Sequence, residues 1–484
     1  MEKIYVPARS TDALASVVSP ERLSALVDIG GARVRDALAG RGIVNVSSTA
    51  VGGGVSELLH VMLPYTRDAG IDASWFVLDG DAKFFEITKR LHHRLHGQLG
   101  DGGPLGPVEW AHLAAIGESN ASQLAASVVA GDVVVLHDPQ PLGMAAVVAS
   151  WGTPVVWRCH VGTEHVNEHT AQAWSFLRPH LEPFVDAYVF TRREYAPEWL
   201  PSDLINVIHP AIDPLSPKNQ PMDDQVARDV LRHVGLVDGG LTKPVTFSRS
   251  DGAPGRVLHH ADIIRNGPPP APDVPLVVQV SRWDPLKDMS GVMHAFVDHV
   301  LDGLDAHLVL AGPVVTSIAD DPEAAQVLNR VRLEWMELPH AARSRVQLVC
   351  LPMMDSDENG VIVNALQRHA TVVVQKSLEE GFGLTVTEAM FKGKAMVASA
   401  VGGIRDQITD GVDGLLIDDP TDHAAFGRAV IRLLKDAKLR ESLGARARNT
   451  VIDKFLPDTS LTQWGNVVIT AIDRDRSRRP VDSA

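Results

Sequence analysis

The segment Ser377-Leu378-Glu379-Glu380-Gly381-Phe382-Gly383-Leu384-Thr385-Val386-Thr387-Glu388-Ala389-Met390 holds two carboxylates, Glu380 and Glu388, on either side of a turn flanked by glycines. It follows the apolar run 371–375, so it stands where a strand ends and a helix begins. Glu380 then belongs to the loop, and Glu388 lies one to two turns into the helix. Carboxylates accept hydrogen bonds from hydroxyls, so this pair suits a sugar and a ribose. The helix start at Gly381, Phe382, Gly383 and Leu384 offers backbone N–H groups to phosphate. An ordinary acidic helix start, which the helix dipole also favours, gives the same pattern.

Two further motifs have the same strand-then-loop setting. Val278-Gln279-Val280-Ser281-Arg282-Trp283-Asp284-Pro285-Leu286-Lys287-Asp288 ends an apolar strand and at once presents Arg282, then Lys287. Open α/β sheets bind ligands at the carboxyl ends of their strands. A guanidinium fork and a point charge there suit a diphosphate. A solvated loop with surface ion pairs to Asp284 and Asp288 is the plainer alternative. Ser47-Ser48-Thr49-Ala50-Val51-Gly52-Gly53-Gly54-Val55 likewise follows a strand and opens an amphipathic helix. Its glycines, Gly53 and Gly54 among them, let backbone approach an anion at a helix start, or simply make a tight turn. The G-x-G-x-x-G spacing of dinucleotide sites is absent.

The elements that position these motifs alternate between short apolar runs and longer amphipathic ones, the pattern of parallel α/β structure. Strands are expected at 43–47, 73–78, 132–136, 154–159, 187–190 and 205–208, then at 276–281, 307–311, 346–350, 371–375 and 395–398. Helices are expected between them, for example at 55–65 and 82–95. The chain of 484 residues is too long for one ordinary core. The two halves look like one architecture used twice. The break is expected at the proline-rich stretch 210–217, which gives a first domain of 1–215 and a second of 216–455, with the helical segment 456–476 packing back on the first. A Gly- and Pro-rich insertion at 239–275 reads as a mobile loop, and the charged tail 473–484 as frayed.

Composition narrows the functions. With a formal net charge of -15, the chain has no electrostatic reason to hold nucleic acid or an anionic membrane. The two cysteines, Cys159 and Cys350, read as buried thiols at strand ends. His92 with His96 and His165 with His169 have helical spacing, but neither sits in a metal motif, and no metal is assigned. The most apolar stretch, 142–157, is broken by Gly152 and Pro154 and reads as helix, turn and strand. The N-terminus lacks an apolar signal core, so a cytoplasmic location is the expectation.

The three motifs in this order resemble a large family of retaining glycosyltransferases, the glycogen-synthase-like and sucrose-synthase-like group. Glu380 and Glu388 match its Glu-x7-Glu signature, Arg282 and Lys287 its Arg/Lys pair, and Gly52, Gly53 and Gly54 its N-terminal glycine loop. The segments His137-Asp138-Pro139-Gln140-Pro141, Trp157-Arg158-Cys159-His160 and Ile208-His209-Pro210-Ala211-Ile212-Asp213-Pro214 look like the trehalose-forming branch, which holds both synthases and retaining phosphorylases. The resemblance implies a GT-B fold of two Rossmann-like, doubly wound α/β domains facing a central cleft.

It further implies a donor site in the second domain. Glu388 would take the ribose, Arg282 and Lys287 the diphosphate, and Glu380 the donor sugar. His160 and Asp138, at strand ends of the first domain, would lie near the reacting centre. The implied substrates are a nucleoside diphosphate glucose (UDP-, ADP- or GDP-glucose) and glucose, giving trehalose with retention, without an obligatory metal or other cofactor. A phosphorylase using glucose 1-phosphate, another acceptor, and a nucleotide-sugar-binding regulator without turnover are the alternatives. The oligomeric state stays open, a homodimer included.

Overall fold

The computed structural model describes residues 1–50, 54–241, 243–315 and 322–478. Gly52 and Gly53 of the glycine motif therefore lie outside the described residues. The chain divides into two units, Met1–Ala211 with Phe455–Ala484, and Ile212–Lys454. The division falls inside the proline-rich stretch, a little before residue 215.

The first unit is built on a seven-stranded sheet of β1 (Glu2–Ile4), β2 (Ile43–Ser47), β3 (Ala73–Val77), β4 (Val133–His137), β5 (Val155–Cys159), β6 (Ala187–Phe190) and β7 (Ile205–Val207). Their order is β1-β3-β2-β4-β5-β6-β7, parallel except for β1, which runs antiparallel along β3. β4 reads Val-Val-Val-Leu-His and is buried throughout, as a central parallel strand covered on both faces must be. On one face Val134 and Leu136 meet Phe84, Ile87 and Leu91 of the Ala82–Leu95 helix, which Asp81 caps by accepting from the Phe84 N–H at 2.7 Å. On the other, Val133 and Val135 meet Val467, Val468 and Ala471 of the final helix, Pro457–Arg478. Each large aliphatic side chain so buried contributes about 1.5–3 kcal/mol.

The second unit repeats the plan. A two-stranded hairpin, β8 (Thr246–Ser248) and β9 (Pro254–Arg256), precedes a sheet of β10 (Asp262–Ile264), β11 (Leu276–Val280), β12 (His307–Pro313), β13 (Val346–Leu351), β14 (Val372–Gln375), β15 (Met396–Ser399) and β16 (Leu415–Ile417). The order is β10-β13-β12-β11-β14-β15-β16, with only β10 antiparallel. In both sheets the chain winds first to one side of its first parallel strand and then to the other. The crevices outside the carboxyl ends of β2 and β4, and of β11 and β14, are thus topological switch points. The glycine motif and Asp138 follow β2 and β4; the Arg/Lys and Glu motifs follow β11 and β14.

Two expectations need correction. The insertion is not a mobile loop: it forms β8, β9 and β10, and it is anchored. Arg249 grips Asp355 at 3.1 and 2.6 Å, Ser250 donates to Asp357 at 2.6 Å, and the Leu258 and His259 N–H groups donate to the buried Glu358 at 2.6 and 2.7 Å. Local sequence gave no sign of these partners, which lie about a hundred positions away. The tail is not frayed from 473, because the last helix continues to Arg478. Val467 to Ile472 hold that helix on the sheet, and its final turns extend beyond them. Both cysteines are free and buried. Among the described residues, no helix is long and apolar enough to cross a membrane, and no group of three or more His, Cys, Asp or Glu is placed to hold a metal ion.

Candidate active site

At the switch point of the second unit, β11 and β14 are locked together by a buried amide. Gln279 accepts from the Lys376 N–H at 3.0 Å and donates to the Lys287 carbonyl at 2.7 Å. This fixes the loop after β11 against the start of the loop after β14. Lys287 Nζ then meets Glu380 Oε2 at 2.6 Å, and Ser377 Oγ donates to the same oxygen at 3.2 Å. The expected phosphate cation and the expected sugar carboxylate therefore stand side by side. Beneath them, Lys376 is fully buried and paired with Asp288, whose backbone is left-handed at φ 49° and whose side chain caps the Met289–His299 helix. A lysine is almost never fully buried unless paired, so Lys376 inside an apolar context was the available sequence signal for this pair.

The turn above is shaped by glycine. Gly383 sits at φ 90° and starts the Leu384–Phe391 helix. A Cβ on Gly403 would stand 2.7 Å from Phe382 Cα and 2.8 Å from the Gly381 carbonyl oxygen, so only glycine lets the 402–403 turn pack there. Gln407 donates to the Phe382 carbonyl and accepts from Thr387 at 2.6 Å, clamping turn and helix together. Glu388 lies one turn into this helix and is buried, with Oε1 on Lys218 Nζ at 2.9 Å. Lys218 was missed: it directly follows the proline-rich stretch, far away in sequence. Arg282 differs from the rest. It is 60% exposed and pairs with Asp284 at 2.9 Å, beyond the contact group of Lys287 and Glu380.

The switch point of the first unit holds buried polar groups joined by hydrogen bonds. Asp138 follows β4 in a left-handed conformation, φ 65°, which Asp adopts more readily than most residues. Its Oδ1 accepts from the His160 N–H at 2.7 Å, and its carbonyl accepts from the Trp157 indole at 2.9 Å. Asp138 and His160, expected together, are thus directly bonded. His137, the last residue of β4 and the neighbour of Asp138, joins them. Asn45 donates to the Ser74 carbonyl at 3.3 Å, which turns its oxygen to His137 Nε2 at 3.0 Å. His137 Nε2–H is then the donor and Nδ1 the acceptor, facing His160 Nε2 at 3.2 Å. The chain of bonds makes the His137 ring neutral and puts a proton on His160 Nε2.

Burial drives the electrostatics. It pushes the Asp138 carboxyl up to about 7, opposed by the bond from His160 and by the Arg158 charge. It pulls His137 down to about 3 with help from Arg158, and holds His160 well below the usual imidazole range. Arg158, itself buried, is lowered to about 10 and donates to Thr191 Oγ1 at 3.2 Å and the Ile208 carbonyl at 2.8 Å. Gly54 begins the Gly54–Asp68 helix after β2, and Ser56 Oγ donates to the Ala50 carbonyl at its first turn.

Two doubly wound units, each with polar residues collected at its switch point, define a protein of the GT-B class. The fold agrees with that of an α,α-trehalose-phosphate synthase (UDP-forming) from Burkholderia vietnamiensis, at TM-score 0.61 and 15% identity over 89% of this chain and 97% of that one. Residues 261–450 match the model of glycosyl transferases group 1, and residues 45–197 that of the trehalose synthase N-terminal domain. Trehalose synthase of Rubrobacter xylanophilus is 32% identical over 91% of this chain and 92% of its own length, and that of Pyrococcus horikoshii 30% identical over 93% of each. The chain belongs to the trehalose synthase family of group 1 glycosyltransferases.

Proposed function

We propose that the protein is a retaining trehalose synthase that transfers glucose from a nucleoside diphosphate glucose to free glucose. The observation that carries this reading is the contact of Lys287 with Glu380 at 2.6 Å on the switch point of the second unit. A cation beside a carboxylate is what a hexosyl diphosphate asks for at the junction of phosphate and sugar. The family membership supplies the branch. Glu388 takes the ribose, Arg282 and Lys287 the diphosphate, and Glu380 the sugar hydroxyls. Backbone at Gly381, Phe382, Gly383 and Leu384 faces the phosphates. Asp138 positions His160, which serves the reacting sugar. A cytoplasmic location goes with this reading.

In the reaction, the bond from sugar C1 to the diphosphate oxygen breaks. A bond from C1 to the acceptor's anomeric oxygen forms on the same face. The acceptor proton passes to the departing phosphate, so no protein nucleophile is needed. Lys287 and Arg282 stabilise the charge that develops on the leaving group, often the largest single contribution in such sites. The test incubates the protein with glucose and UDP-, ADP- or GDP-glucose, or with glucose 1-phosphate, and reads the disaccharide by proton NMR. An α,α-linked product from the nucleotide sugar is expected. Product from glucose 1-phosphate alone would make it a phosphorylase, and binding without product a regulator.

A further inference from the structure

A cavity of about 190 Å³ opens in the second unit, lined by Asp224, Ala227, Arg228, Arg368, His369 and Lys394. It lies at the other strand ends from Lys287 and Glu380. His369 ends the Ser356–His369 helix just before β14, and Lys394 precedes β15, so the cavity belongs to the amino ends of these strands. The Lys287 and Glu380 groups lie past the carboxyl end of β14, whose four residues span about 13 Å.

The charge there is not balanced. Among the described residues, Arg228, Arg368 and Lys394 form no ion pair. Their hydrogen bonds go to neutral acceptors: Arg228 to Gln225 at 3.2 Å, Arg368 to Asn364 at 2.8 Å and to the Asn219 and Gln220 carbonyls, and Lys394 to the Ala370 carbonyl at 3.0 Å. More cations stand around them. Arg440 and Arg368 act on Lys394, Arg448 acts on Arg368, and Arg228 acts on His369 together with Arg232, which is itself paired with Asp229 at 2.9 Å. Asp224 is the acid that acts on all three. Burial, with Arg368 and Arg440 and against Asp224, lowers Lys394 to about 8, and burial keeps His369 below the usual imidazole range. The negative end of the Ser356–His369 helix dipole accounts for one cation near its last turn, but not for three without a counter-ion. Such a concentration is the more pointed in a chain of net charge -15.

We infer that this cavity is an anion site for a phosphate group, either inorganic phosphate or a phosphate monoester. Three cations against one carboxylate leave a surplus of two charges, which a phosphate dianion matches. The cavity has the room of about six waters at about 30 Å³ each, enough for a tetrahedral oxyanion and part of its solvation. Two of the Lys394 ammonium protons and most of the Arg228 guanidinium remain to bind it. The bound anion bridges the Asp224–His233 and Ser356–His369 helices to the segment that follows the Leu384–Phe391 helix, which carries Glu388.

Calorimetric titration with inorganic phosphate, against chloride at matched ionic strength, tests this. A parallel titration with glucose 6-phosphate distinguishes the two sources, the tighter binder being the ligand. Saturable binding is expected in the wild type, weakened at least tenfold in Arg228→Gln and in Lys394→Gln. Arg228 is half-exposed and bonded only to Gln225, so its variant keeps the fold if Lys394→Gln does not. Arg282→Ala should leave the affinity unchanged. The absence of saturable binding overturns the inference. So does binding that is lost in Arg282→Ala and kept in Arg228→Gln, which would put the phosphate at the donor site.

Discussion

Outside the carboxyl end of β4, the first unit keeps its two imidazoles neutral; outside that of β14, the second keeps its groups charged and paired. Both crevices arise from the same winding of the chain. In the first, Asn45, His137, His160 and Asp138 are joined by hydrogen bonds, and burial holds both rings unprotonated. In the second, Lys287 with Glu380, Lys376 with Asp288 and Lys218 with Glu388 are ion pairs. A shared topology therefore fixes where a ligand binds, and the local side chains fix which kind of chemistry each crevice offers. A neutral crevice suits uncharged sugar hydroxyls, and a charged one suits a nucleotide diphosphate.

The comparison breaks first at Lys376. Its partner Asp288 caps a helix and shapes the loop that bears Lys287. Removing one member of a buried pair leaves the other uncompensated, a loss of about 3–5 kcal/mol. Lys376→Ala should lower stability by that amount in urea unfolding. A change under 1 kcal/mol would show that the charged crevice does not depend on its buried pair.

Asp138 tests the neutral crevice through pH. Folded Asp138 keeps its proton up to about pH 7, whereas an unfolded aspartate loses it near 3.8. Its protonation favours the folded state below pH 7, and that contribution fades as pH rises from about 4 to 7. His137 and His160 act in the opposite sense: their stabilising contribution is lost as pH falls below the ordinary 6.5. Asp138→Asn keeps the acceptor for the His160 N–H and tolerates the left-handed backbone. Against the wild type, it should gain stability between pH 5 and 7 by up to about 1.4 kcal/mol per pH unit. Its own unfolding should then show a steady loss on acidification. Parallel pH profiles for the two proteins would remove the raised Asp138 carboxyl from the account.

His160 separates the two crevices by function. His160→Ala should lower turnover by roughly two orders of magnitude, the scale of a lost transition-state interaction. The affinity for the free nucleoside diphosphate should stay unchanged, since that ligand is assigned to the second unit. Full turnover in this variant, or a parallel loss of nucleotide affinity, would contradict the assignment.

How much of this was legible in the sequence follows from range. Eleven of the strands were read from apolar runs, because buried parallel strands are continuous in hydrophobicity. Of the three-residue strands, β7 was read with Ile208 extending its apolar run, whereas β1, β8, β9, β10 and β16 were too short for a pattern to register. Glu380, Lys287, Asp138 and His160 could be singled out because each lies in the segment that follows a strand. Asn45, His137, Gln279 and Lys218 take their roles from partners elsewhere in the chain, which residue type and spacing do not reveal. The anchoring of the 239–275 insertion escaped for the same reason. Its prolines and glycines were visible, while the carboxylates that hold it were not adjacent in sequence.

Arg282 carries the smallest expected effect, and it sharpens the contrast within the charged crevice itself. Lys287 is held against Glu380, whereas Arg282 is largely exposed and bonded to Asp284. An exposed ion pair contributes about 0–1 kcal/mol, so Arg282→Ala should leave the unfolding transition in place. In the proposed complex, however, its guanidinium turns to the diphosphate and forms a charge-assisted bond of about 1.5–3 kcal/mol. Part of that is spent in leaving Asp284 and in ordering a long side chain. A loss of about tenfold in nucleoside diphosphate affinity is therefore expected, which corresponds to about 1.4 kcal/mol. Calorimetry on the folded variant reads it directly. Repeating the titration at higher salt adds a second reading: the wild type should weaken more steeply than the variant, because the variant has one charge fewer to screen. Equal affinities with equal salt dependence would mean that Arg282 stays on Asp284 in the complex, leaving Lys287 as the cation that meets the diphosphate.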